Sequence, residues 1–122
     1  MNIDKLCSIR SIYKAIGEFE QQFFKQFGLG LNESMILCLL KESDLSSGEL
    51  AEKLGLTCSN ASKVIKSIEQ KGLIKRMLGE KDKRQMYFGL TSGGKKQIDS
   101  IECETIRFPF FVERPEILNK EL

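Results

Sequence analysis

Ser59, Asn60, Ser62, Lys63 and Lys66 lie close together in a stretch whose other side carries Ala61, Val64, Ile65 and Ile68. On a helix this spacing sends the apolar set inward and the polar set, with Ser67, outward. Hydroxyls, an amide and primary amines in this pattern suit recognition by hydrogen bonding and charge rather than bond-making. Asn can pair with adenine through two hydrogen bonds, Ser can serve several bases, and Lys can reach guanine or phosphate. Asn60, Ser62 and Lys63 are therefore expected at base edges, with Ser59 and Lys66 positioning the nucleic-acid backbone. A second group follows in Gly79-Glu80-Lys81-Asp82-Lys83-Arg84. A long cation such as Arg84 suits a narrow minor groove, where negative potential is concentrated. Asp82 can hold that guanidinium through paired hydrogen bonds, and Lys81 and Lys83 would approach phosphates.

Charge supports the same chemistry. The net charge of +2 is unevenly divided. From Lys53 to Lys96 eleven basic residues face only Glu69, Glu80 and Asp82, a local charge of +8. The remainder holds eight basic and fourteen acidic residues, or −6. A basic middle between acidic ends fits a polyanion-binding face. The bland alternative is a solvated Lys-rich surface.

The absence of histidine from the sequence removes the commonest general base and neutral metal ligand, and no catalytic constellation stands out. Cys7, Cys38, Cys58 and Cys103 are widely spaced, which suits a reducing cytoplasm better than a disulfide framework and gives no zinc-ligand pattern. Neither a membrane span of ~18 apolar residues nor a signal-peptide pattern is expected. Cofactor, metal and membrane partner are all expected to be absent.

These residues need a frame. Ile3, Leu6, Ile9, Ile12, Ile16, Phe19, Phe23 and Phe27 mark one face of a long first helix, stopped by Gly28 and Gly30. At roughly 24 residues it would be about 36 Å long, more than a domain of this size can bury against itself. Asn32 is expected to cap a second, centrally buried helix that includes Cys38 as a small core residue. Ser46 and Glu49 form a capping box for a short third helix ending near Leu54, with Gly55 at its C-cap. Thr57 or Ser59 caps a fourth helix that runs to about Lys71 and ends at Gly72. Two strands, Leu73–Leu78 and Gln85–Leu90, flank the charged hairpin tip. Thr91 or Ser92 starts a further helix. The apolar Phe108–Val112 stretch and a short final helix from Pro115 follow.

In Gly48-Glu49-Leu50-Ala51-Glu52-Lys53-Leu54, Ser59-Asn60-Ala61-Ser62-Lys63-Val64-Ile65, Ile68-Glu69-Gln70-Lys71-Gly72-Leu73-Ile74, Asp82-Lys83-Arg84 and Leu90-Thr91-Ser92-Gly93-Gly94, the chain resembles the MarR family of regulators. The resemblance spans roughly residues 10 to 100 and includes the family's D-[KR]-R to L-T-x-x-G spacing. It implies a mainly α fold with a small β-hairpin wing: a winged helix-turn-helix with dimerisation helices at both ends. The expected organisation is a dimerisation helix at 1–30, a DNA-binding domain at 31–91 and shortened dimerisation helices at 92–122.

It further implies a homodimeric transcription regulator, a repressor, placing helix 59–71 in the major groove of an operator duplex and wing 79–85 on the minor groove. A small-molecule effector is also implied, in a pocket lined by Phe19, Phe23, Ile36 and Leu40. Cys7 lies where the peroxide-sensing branch of the family carries its reactive cysteine. Tyr13 matches one supporting tyrosine of that branch, but Asn32-Glu33 replaces the other. Redox sensing through Cys7 is one alternative. A winged helix used as a protein-interaction module is another, and it calls for an exposed apolar patch in place of the cationic face.

Overall fold

The computed structural model describes residues 3–79 and 84–103. The Phe108–Val112 stretch and the expected helix from Pro115 lie outside the described residues. In chain order the elements are α1 (Ile3–Phe27), α2 (Leu31–Glu42), β1 (Leu45–Ser46), α3 (Ser47–Leu54), α4 (Cys58–Gln70), β2 (Ile74–Leu78), β3 (Met86–Leu90) and α5 (Ser92–Cys103). The mainly helical architecture with a small hairpin wing matches the reading from sequence. α1 belongs to one compact unit, and the elements from α2 to α5 form another, Leu29–Glu104.

α1 follows the apolar period as expected, but only Phe23 among its residues is buried. The Phe23 ring lies 5.8 Å from Phe19 and 4.8 Å from Phe27, measured between centroids. Toward the N-terminus the stripe is open: Ile3, Leu6 and Ile9 are all exposed.

The second unit is built around α2, which packs against α3, α4, α5 and β3. Ile36 and Leu37 of α2, Leu50 of α3 and Ile68 of α4 are fully buried and form its centre. Two expectations for α2 need correction. The helix starts at Leu31, so Gly30 rather than Asn32 holds the cap position, and the Glu33 carboxylate accepts from the Gly30 N–H at 3.0 Å. Cys38 is not a core residue but lies on the exposed side of the helix. Its thiol pKa is nevertheless pushed up by partial burial and by the Glu102 charge, with Lys41 opposing.

Capping fixes the helix-turn-helix. The Ser46 hydroxyl accepts from the Glu49 N–H, and the Glu49 carboxylate accepts from the Ser46 N–H, so two otherwise orphaned donors are satisfied. α3 stops at Gly55, whose φ of 67° is readily adopted only without a Cβ. The Leu56 N–H returns to the Ala51 carbonyl at 2.9 Å, closing the turn. Ala51 and Ala61, both buried and small, allow α3 and α4 to approach closely.

The sheet is antiparallel with order β1-β3-β2. β1 was not anticipated, because two residues are too few to show a period. Leu45 pairs with Phe88, and Ser46 with Tyr87. In the wing ladder Ile74 pairs with Leu90, Arg76 with Phe88 and Leu78 with Met86, so these six share one face.

The join from wing to α5 explains the L-T-x-x-G pattern. The Thr91 hydroxyl donates to the Gly72 carbonyl and accepts from the Gly94 N–H. A Cβ on Gly94 would sit 2.1 Å from the Leu73 carbonyl oxygen, so the close contact requires glycine.

Candidate nucleic-acid interface

α4 presents its polar side because its other side is anchored. Thr57 caps the helix, its hydroxyl accepting from the Asn60 N–H at 3.1 Å. Ala61, Ile65 and Ile68 are buried, and Val64 is half-buried. This leaves Ser59, Asn60, Ser62, Lys63 and Lys66 exposed on the outward side. The structure thus brings together the five helix residues singled out in the sequence.

Ser67 is an exception to the outward set. Its hydroxyl donates to Glu33 Oε2 at 2.9 Å, which turns it to a structural role. Glu33 also takes the Lys71 ammonium, with Nζ 3.0 and 2.9 Å from its two oxygens. Burial alone would raise the carboxyl pKa of Glu33. Hydrogen bonds from Gly30, Lys71 and Ser67, with the Lys71 charge, outweigh it and hold the group below its ordinary value. Three donors converging on one carboxylate tie the start of α2 to the end of α4.

Arg76 is also committed within the chain. Its Nε and Nη2 donate to the two Glu69 oxygens at 2.8 and 3.1 Å, the fork geometry that suits guanidinium and carboxylate. Its guanidinium carbon lies 5.6 Å from the centre of the Phe88 ring. The local charge of +8 already subtracts Glu69, but Glu33 lies outside that stretch, so its pairing with Lys71 lowers the charge left to an outside polyanion. Lys71 and Arg76 are engaged by Glu33 and Glu69, whereas Lys63 and Lys66 stand on the outward side of α4.

On the wing, the Gly79 N–H donates to the Gln85 carbonyl at 2.9 Å, and Arg84 is exposed. Lys81, Asp82 and Lys83 lie outside the described residues, as does the expected Asp82–Arg84 pairing. Two exposed apolar side chains went unremarked in the sequence, Leu78 at 62% and Met86 at 40%. Alternation along the two strands puts both on the face of Arg76 and Phe88 but does not reveal their exposure, because the buried Ile74 and Phe88 share that face.

A cavity of about 230 Å³ is lined by Ser47, Ser62, Ile65, Arg76, Met86 and Phe88. It adjoins α4 and is distinct from the effector pocket expected from Phe19, Phe23, Ile36 and Leu40. Of those four, Ile36 and Leu40 are core residues of the second unit. Cys7 and Tyr13 are both exposed on α1. Among the described residues no cluster of His, Cys, Asp or Glu could hold a metal ion. No helix among them is long and apolar enough to cross a membrane.

Short capped helices α3 and α4, a glycine turn between them and a β-hairpin following α4 define a winged helix-turn-helix protein. The MarR family model matches residues 29–86, which contain α3, the turn, α4 and the wing as far as the first residue of β3. The transcriptional regulator PapX of Escherichia coli is 30% identical over 86 residues, covering 68% of this chain and 52% of PapX. The transcriptional regulator Hpr of Geobacillus thermodenitrificans is 32% identical over 88 residues, covering 71% of this chain and 44% of Hpr. In fold, the chain is similar to MepR of S. aureus in its complex with DNA. The TM-score is 0.70 at 24% identity, over 93% of this chain and 81% of MepR. The chain belongs to the MarR family, whose members are transcription regulators and not enzymes. It spans about half the length of the curated relatives it matches.

Proposed function

We propose that this chain is a cytoplasmic, homodimeric transcription repressor that binds an operator duplex through α4 and the wing. The observation that carries this reading is the outward side of α4, where Ser59, Asn60, Ser62, Lys63 and Lys66 are exposed on a helix anchored along its other side. Asn60, Ser62 and Lys63 read base edges in the major groove, Ser59 and Lys66 hold the backbone, and Arg84 enters the minor groove with Lys81 and Lys83 near phosphates. The regulator names of PapX and Hpr support the reading, as does the solved complex of MepR with DNA. In this proposal the open stripe of α1 and residues 92–122 supply the dimer contact, and a small-molecule effector controls binding.

The test is a mobility-shift series on a mixed-sequence duplex pool at rising salt, with sedimentation of the free protein. A dimer that neutralises about ten phosphates should give a log-log salt slope near −9. Arg84→Ala should weaken binding and leave fold and dimer unchanged. A monomer, or a dimer indifferent to duplex at low salt, would contradict the proposal and favour a protein-interaction module.

A further inference from the structure

Leu78 and Met86 face each other across the ladder at the tip end of the wing, and both are exposed. A single exposed leucine says little. These two sit side by side, on the same face as Arg76 and Phe88, at a place where a hairpin end can be polar at no cost to the fold. Met86 lines the same cavity as Ser62, so the Met86 side of the pair borders the outward side of α4. Arg84, the wing cation, lies two residues before Met86. The apolar pair thus continues the proposed DNA-binding surface between its two polar parts.

A nucleic-acid strand is not uniformly anionic: each phosphate is followed by a deoxyribose whose ring edge is apolar. We infer that Leu78 and Met86 pack on deoxyribose in the strand that runs between the recognition helix and the wing. The inference rests on the DNA-binding reading above. Two side chains fall far short of the roughly 800 Å² per partner that a stable protein interface buries. Bordered by Ser62 and Arg84, they suit a ligand that alternates charge with apolar surface. The contact sets how deeply the wing seats, and it acts alike on every sequence because every nucleotide carries the sugar.

An apolar contact releases no condensed counterions, so it adds affinity without steepening the salt dependence. The experiment compares wild type, Leu78→Thr/Met86→Thr and Arg84→Ala on a mixed-sequence duplex pool across a salt series. Threonine keeps a good strand former at both positions. The double variant should bind about tenfold more weakly with an unchanged log-log slope, given the transfer free energy of two partly buried side chains. Arg84→Ala, which removes one cation from each protomer of the dimer, should make the slope shallower by about 2. Thermal melting and sedimentation of each variant accompany the series. Leu78→Met, which keeps the apolar surface, should bind like wild type and so separates lost contact from lost fold. Full affinity in the double variant overturns the inference and assigns the pair to a protein or small-molecule contact. A loss accompanied by a shallower slope overturns it as well. A wild-type chain that binds no duplex at low salt defeats the DNA-binding reading itself, whereas salt-sensitive wild-type binding with an unaffected double variant defeats only this inference.

Discussion

The two ends of α4 carry similar side chains and put them to opposite use. At the N-terminal end, Ser59, Asn60, Ser62 and Lys63 stand exposed above a buried Ala61. At the C-terminal end, Ser67 and Lys71 converge on Glu33, and Glu69 holds Arg76. Polar and cationic residues alternate with apolar ones at both ends, so sequence spacing alone does not tell them apart. What separates them is an acceptor brought by another element, Glu33 from α2, and an Arg brought by β2. The lesson is that a cation counts toward a binding face only after its partners within the chain have been found. The C-terminal ties hold the helix, and the N-terminal end is left exposed.

The largest effect breaks the frame on which both ends depend. Gly94→Ala would force a Cβ into the Leu73 carbonyl at the root of the wing, and β2 or α5 must shift to relieve it. We expect a loss of about 3 kcal/mol or more by chemical denaturation, at the upper end for overpacking. Next comes Glu33→Ala, which strips the acceptor from Gly30, Ser67 and Lys71 at once and should cost about 2 kcal/mol. Its pH dependence gives a sharper check. Because the folded-state pKa of Glu33 is depressed, its stabilising contribution is present above the unfolded carboxylate range and is lost as pH falls through the folded value. The stability gap between wild type and Glu33→Gln should therefore narrow on acidification from neutral pH. A gap independent of pH would mean that the network does not depend on the charged carboxylate.

A smaller effect addresses the comparison directly. Lys63→Ala, which removes one amine from each protomer of the dimer, should make the salt slope of duplex binding shallower by about 2 if the amine neutralises a phosphate, or leave the slope and relax sequence preference if it reads guanine. Lys71→Ala should do neither, because Glu33 already engages that amine. Equal slope changes in the two variants would erase the distinction between the ends of the helix.

Much of this architecture was legible in the sequence. The Ser46 and Glu49 capping box, the Gly55 stop, the Thr57 cap and the two wing strands are local signals, each carried by a few neighbouring residues, and they fall where expected. What was not legible is nonlocal. The role of Ser67 depends on Glu33, 34 residues away, and the pairing of β1 depends on Phe88. Cys38 looked buried because α2 is apolar on most sides, and periodicity could not say which side a neighbour would cover. For the same reason the α1 stripe announced a helix without announcing its partner. On the polar side of α4, the five outward residues were legible because an inward apolar face fixes its opposite.

The most direct test of the central claim is the ratio of affinities for a duplex selected by the protein and the same duplex scrambled, measured for wild type and Asn60→Ala. If the exposed end of α4 reads bases, Asn60→Ala should lower that ratio by the equivalent of about 1–3 kcal/mol while its affinity for scrambled duplex barely changes. An equal loss on both duplexes, or none on either, would contradict the assignment of this helix end to base recognition.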